Sequence, residues 1–315
     1  MKKFKIIAVM LIALLILPLF SGCSRAVDKE EDFLIVTSFY PMYVFTKNIT
    51  EGAENVNVLN MTEPQTGCLH DYQLLPEDIK TLEKADVFVI NGGGMEAFME
   101  KAYENVKDLE VITASEGIDF ISLECEEHEH HSHHDHEHEE LNSHVWTYVP
   151  NAVKEVENIT KGLCEFNPGN EKIYRENAEK YIKKLNAVHE EFKEFSDSAG
   201  DIKLAVTHEA FDYMAKGYGF EIAGYVISGH NTQPSAGELS DLTGKIKDEE
   251  VIGIFKEPQY PDGVINTLAR ETGADIYELD PMVTGEEEYK DVYEAAMLKN
   301  LKTIKTAREQ KGYGN

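Results

Sequence analysis

Positive charge is scarce in this chain. Lys and Arg together number 30 against 58 Asp and Glu, a net charge of -28. Nucleic acid and anionic membrane surfaces are held by basic patches, so a nucleic-acid partner is excluded. The acidic surface suits a protein that meets cations. Cysteine is also sparse: four residues are too few for a disulfide scaffold, and no two of them stand in a C-x-x-C pair. No G-x-G-x-x-G occurs, and Gly92-Gly93-Gly94 is not followed by Lys-Ser/Thr, so a tight turn accounts for it better than a phosphate cradle. The longest apolar run, Ile6 to Phe20, has fifteen residues. A membrane span needs about 20.

What is present is a chain of 315 residues, 42% of them hydrophobic. That is enough for one large or two medium globular domains. Lys2, Lys3 and Lys5, the apolar run and Ser21-Gly22-Cys23 have the three-part layout of a secretory signal. Residues 1–22 are therefore expected to be removed, an uncleaved anchor being the alternative. Phe20-Ser21-Gly22-Cys23 resembles a bacterial lipobox, with Phe where Leu is more usual. That resemblance implies lipidation of Cys23, a tether over 23–32, and anchoring at the outer face of the cytoplasmic membrane.

From Phe33 onward, β-branched runs alternate with amphipathic stretches. Strands are expected at Phe33–Ser38, Asn55–Leu59, Asp86–Asn91 and Glu110–Thr113, then at Lys203–Thr207, Phe220–Val226, Val251–Phe255 and Asp275–Leu279. Helical patterns separate them, which implies parallel sheets covered on both faces. The expected fold is α/β, with two lobes, each a four-stranded parallel sheet flanked by helices. An N-terminal lobe over 33–165 and a C-terminal lobe over 201–315 are joined by one long rigid helix within 166–200. Tyr174, Ala178, Tyr181, Ile182, Leu185, Val188 and Phe192 form its apolar stripe. Such a connection allows only modest closure.

Residues 124–140 hold His128, His130, His131, His133, His134, His136 and His138, seven of the twelve histidines, interleaved with carboxylates and free of Lys and Arg. Neutral imidazole binds borderline metals such as zinc, nickel and copper. The segment reads as a loop of several auxiliary, low-specificity metal sites; a solvated acidic insertion is the bland alternative.

Five histidines remain. His189 falls on the long helix's apolar stripe and reads as a packed core residue. His230 reads as an ordinary loop histidine or a pocket-lining one. His208 follows a strand at its carboxyl end, where open α/β sheets place ligands. His70 and His144 lie in loops, and His70, His144 and His208 read together as one site.

Several segments give that site a context. Thr37-Ser38-Phe39-Tyr40-Pro41, His70-Asp71-Tyr72, Ala85-Asp86 through Asn91-Gly92-Gly93-Gly94-Met95-Glu96, and His144-Val145-Trp146 stand in the first half. Thr207-His208-Glu209-Ala210-Phe211-Asp212-Tyr213, Pro234-Ser235 and Leu279-Asp280-Pro281 stand in the second. In pattern and order they resemble the zinc-uptake solute-binding lipoproteins of bacterial ABC transporters, the ZnuA/TroA type of the cluster A-I metal-binding family. The resemblance implies a monomeric carrier of Zn2+ that is not an enzyme and that serves a membrane permease and its ATPase. It implies His70, His144 and His208 as ligands, with Asp280, a water or another carboxylate in fourth place. Cys68-Leu69 departs from the usual pattern before the first ligand, and the Cys68 thiol is either a further ligand or merely buried. Manganese-type relatives carry Glu where His208 stands, so imidazole there points to zinc. A manganese- or iron-binding sibling is the nearest alternative. An exported zinc metallohydrolase is the alternative from another class, since His208-Glu209 begins like H-E-x-x-H but ends in Asp212.

Overall fold

The computed structural model describes residues 32–62, 72–123, 141–227, 234–286 and 288–312. The expected leader, Cys23, Cys68, His70, Cys125, the histidine-rich tract and His230 lie outside the described residues.

The first half runs β1 (Phe33–Thr37), α1 (Tyr40–Thr50), β2 (Val56–Asn60), α2 (Pro76–Leu82), β3 (Val87–Ile90), a short α3 (Glu100–Tyr103) and β4 (Glu110–Thr113). A two-stranded antiparallel ribbon follows, β5 (Ile121–Ser122) with β6 (Leu141–Asn142), then α4 (Val149–Phe166) and the long α5 (Glu171–Ala199). The second half is β7 (Lys203–Val206), α6 (Asp212–Tyr218), β8 (Glu221–Tyr225), α7 (Ala236–Asp248), β9 (Ile254–Lys256), α8 (Gly263–Thr272), β10 (Ile276–Glu278) and α9 (Val292–Gln310).

Two four-stranded sheets result, in the orders β2-β1-β3-β4 and β10-β9-β7-β8. Every pairing in them is parallel, so the expected α/β class and double sheet are observed. The composition explains which strands are central: all four residues of β3, Val-Phe-Val-Ile, are buried, as required of a strand covered on both faces. In each sheet the strand order reverses once, between β1 and β3 and between β7 and β9. Such switch points open a crevice at the carboxyl ends of the strands, where ligands bind.

Helix boundaries follow local chemistry. Pro76 opens α2, and Asp78 Oδ2 accepts the Leu75 N–H at 2.7 Å. Ser235 and Glu238 form a capping box at α7. Left-handed Gly219 and Gly273 end α6 and α8. The long helix α5 runs 29 residues, through Ser196 to Ala199, and buries Tyr174, Tyr181, Leu185, Val188 and Phe192. At 1.5 Å per residue its length is roughly 43 Å. It packs on α4, α1 and α9. One cluster of buried side chains runs from Ile35 and Trp146 in the first half to Phe255 and Ile304 in the second. His189 is half-buried on α5, with Nδ1 3.2 Å from the Tyr218 hydroxyl, at the edge of the stripe rather than in the core as expected. Cys164 is a free thiol buried under α5, and burial raises its pKa.

The glycine turn after β3 is a tight turn. Gly92, Gly93 and Gly94 have φ of 89°, 63° and 90°. A Cβ on Gly93 would lie 2.2 Å from the Phe120 ring. Two amides at the head of the turn are taken: Glu96 accepts the N–H groups of Asn91 and Gly92 at 2.8 and 3.0 Å.

Candidate metal centre

Four strand ends converge on the crevice. Ser38 follows β1, Asn91 follows β3, His208 follows β7 and Glu257 follows β9, and all are buried. Glu96, which also accepts from Ser38 Oγ at 2.8 Å, braces Asn91. Asn91 Nδ2 then donates to the Ser143 carbonyl at 2.9 Å, fixing the loop that carries His144. Burial raises the Glu96 pKa, and the hydrogen bonds from Asn91, Ser38 and Gly92 only partly oppose it.

His144 is fully buried and His208 is 4% exposed. Their ring centroids lie 5.0 Å apart with the planes at 86°, which brings one histidine from each half of the chain together. His144 Nδ1 stands 3.0 Å from Asn142 Oδ1. His208 Nδ1 stands 2.6 Å from Glu257 Oε1. Both partners are acceptors at those atoms, so Nδ1 carries a hydrogen in each ring, and in a neutral imidazole Nε2 is then the lone-pair nitrogen that a metal uses. Tyr260 covers His208 at a centroid distance of 5.3 Å, and Trp146 lies 5.3 Å from the His144 ring.

Asp280 sits just beyond β10. Its Oδ1 accepts the Met282 N–H at 2.8 Å and faces Gln259 Nε2 at 3.5 Å, while Asn300 binds its backbone on both sides. Among the described residues, no three His, Cys, Asp or Glu side chains gather closely enough to hold an ion. His144 and His208 therefore form a pair to which Asp280 is not joined here. Sequence reasoning missed Glu257 and Asn142. Glu257 was detectable by the argument that found His208, because it too directly follows a strand at its carboxyl end.

The hydrolase geometry is absent. His208 has extended backbone at the N-cap of a 3-10 turn, Glu209–Phe211, and α6 begins only at Asp212. One helix face therefore does not carry His208 and Asp212, as the H-E-x-x-H arrangement requires. Asp212 instead binds Asn142 and Tyr225, and burial pushes its pKa up to about 6.

The halves meet through buried polar contacts. Trp146 Nε1 donates to the Pro281 carbonyl at 2.7 Å, Tyr293 OH to the Trp146 carbonyl at 2.7 Å, and Thr147 Oγ1 to the Ala210 carbonyl at 2.9 Å. No helix among the described residues is long and apolar enough to cross a membrane.

Comparison with known proteins agrees with this architecture. The zinc-binding lipoprotein AdcA of Streptococcus pneumoniae is 30% identical over 320 residues, and the match covers 99% of this chain. The chain spans only 62% of that relative's length. The high-affinity zinc uptake system protein ZnuA of Bacillus subtilis is 34% identical over 294 residues, covering 90% of this chain and 91% of the relative. The solute-binding protein FpvC of Pseudomonas aeruginosa, solved with Mn2+, superposes with a TM-score of 0.77 at 26% identity, over 89% of this chain and all of that one. The family described as zinc-uptake complex component A, periplasmic, matches residues 35–307. The chain thus belongs to that family, whose members are metal-ion solute-binding components of ABC uptake systems and not enzymes.

Proposed function

We propose that this chain captures Zn2+ between its lobes and delivers it to a membrane permease driven by an ATPase. His144 and His208 supply Nε2 from opposite halves, His70 adds a third imidazole, and Asp280 takes the fourth place after a small approach of its loop. The observation that carries this reading is the His144–His208 pair, with each Nδ1 occupied by an acceptor and the rings 5.0 Å apart. Two imidazoles with no carboxylate in the pair favour zinc over harder, oxygen-seeking ions. The similarity to the AdcA and ZnuA proteins supports the same metal.

An ion held by ligands from both halves favours the closed state, because only there are all ligands in reach. A permease that separates the halves removes ligands and releases the ion without unfolding the carrier. Acidification works in the same direction, since a protonated imidazole does not ligate. We further propose that Cys23 carries the lipid anchor and that the tract from His128 to His138 collects zinc.

The test is a competition titration of the purified protein with elemental analysis. His208→Ala is expected to weaken zinc binding far more than deletion of 124–140. Equal losses would relocate the primary site to the tract. The similarity to the manganese-bound FpvC structure makes manganese the second reading, and tighter binding of Mn2+ than Zn2+ by the same protein would establish it.

A further inference from the structure

The orientation of His144 depends on a residue that the ligand motif does not include. Asn142 is 1% exposed, and both ends of its amide are used. Oδ1 accepts the His144 backbone N–H at 3.0 Å and faces His144 Nδ1 at 3.0 Å. Nδ2 donates to the Glu209 carbonyl at 2.8 Å and to Asp212 Oδ2 at 3.1 Å. The way round is dictated by chemistry: a backbone N–H on one side accepts nothing, and a backbone carbonyl on the other donates nothing.

Those two sides belong to different halves of the molecule. His144 lies on the loop after β6, whereas Glu209 and Asp212 lie on the turn that begins with His208. The surroundings hold the amide in place. Tyr213 OH donates to the Asn142 carbonyl at 2.6 Å and accepts the Ile121 N–H at 2.9 Å. Tyr225 OH donates to Asp212 Oδ1 at 2.9 Å, fixing the carboxylate that faces Asn142.

We propose that Asn142 is a positioning residue that ties the His144 imidazole to the opposite lobe: gripping Glu209 and Asp212 holds the ring in its orientation, and losing them lets it go. Separation of the halves would strip both acceptors from Nδ2, leave the amide free to turn about its last torsion, and remove the anchor from Nδ1. The affinity lost on opening would then exceed what distance alone removes. The inference rests on His144 and His208 being metal ligands.

The test uses the full chain with zinc, reading competition affinity, dissociation rate and the ring 15N shifts of His144. Asn142→Ala is expected to weaken zinc binding about 10- to 100-fold, the usual cost of removing a ligand's orienting partner, and to release zinc faster. Asn142→Asp keeps an oxygen toward His144 but sets another against Asp212 and the Glu209 carbonyl, and it should lose a comparable factor. Pairing it with Asp212→Asn returns a donor to that contact and should recover most of the loss, which a general packing defect would not do. Should Asn142→Asp fail to fold, Asp212→Ala, which removes only the far acceptor, is expected to speed zinc release several-fold. His144→Ala separates the two readings. If it leaves affinity unchanged, the assignment of the site fails. If it abolishes tight binding while the Asn142 variants match wild type in affinity, rate and shifts, the coupling is overturned; a double variant as weak as Asn142→Asp alone would overturn its interlobe half.

Discussion

Glu257 Oε1 lies 2.6 Å from His208 Nδ1, inside a pocket where the glutamate is fully buried. The carboxylate is itself placed by β9, and its backbone N–H donates to Thr207 Oγ1 at 3.2 Å. A carboxylate behind a ligating imidazole sets its tautomer and raises its basicity. Glu257→Ala is expected to reduce zinc affinity about 10- to 100-fold, and Glu257→Gln, which keeps an acceptor but loses the charge, by less. A chelator competition titration decides it; equal affinity in all three proteins would remove Glu257 from the site.

Metal preference should lie with His208. Replacing it by Glu substitutes a hard oxygen for a borderline nitrogen. His208→Glu is expected to lower zinc affinity at least tenfold while lowering manganese affinity less or raising it. Parallel titrations with both ions give the ratio, and an unchanged ratio would mean that selectivity is set elsewhere.

Trp146 is the chain's single tryptophan. It stacks edge-on against Phe39 at 4.9 Å and donates across the interface to the Pro281 carbonyl, next to Asp280. Its emission should therefore change when zinc is added to the apo protein and return on chelation. Trp146→Phe removes the donor and leaves a buried carbonyl unpaired, a cost of about 1–3 kcal/mol. Urea unfolding of the apo protein measures it.

Glu155 is fully buried on α4, and neither carboxylate oxygen has a hydrogen-bond partner among the described residues. Burial, reinforced by the Glu96 charge, raises its pKa well above the usual carboxylate value, and it also faces Tyr293. A folded-state pKa above the unfolded one means that the folded protein holds the proton longer. Stability is then complete below the ordinary glutamate range and falls as pH rises through and above it. Glu155→Gln, which cannot ionise, should flatten that fall, leaving the variant more stable than wild type at pH 8 and little changed at pH 4.5. Denaturation midpoints across that window check the sign.

The strands were legible because buried parallel strands are short apolar runs. Val87–Ile90 and Lys203–Val206 both fall inside the expected segments. Helix α4 was not recognised, although Val149, Ala152, Val156, Ile159 and Leu163 recur at helical steps. The polar residues between them, and the buried Glu155 on the same face, interrupt the stripe. Of the site, His144 and His208 were legible because their residue type advertises metal chemistry. Glu257 carries only the weaker signal of standing at the carboxyl end of an expected strand, and Asn142 carries none; its role comes from where β6 ends beside the turn that begins with His208, which only the folded chain displays.

On the proposed function, the unbroken core limits how the chain would announce its cargo. Side chains packed continuously from Ile35 to Ile304, along a helix of 29 residues, leave no soft joint about which the halves could swing widely. On that proposed function, a permease would tell full carriers from empty ones by small local changes in the rim around the bound ion. Substitutions on that rim should therefore disturb handover more than changes anywhere along the spine.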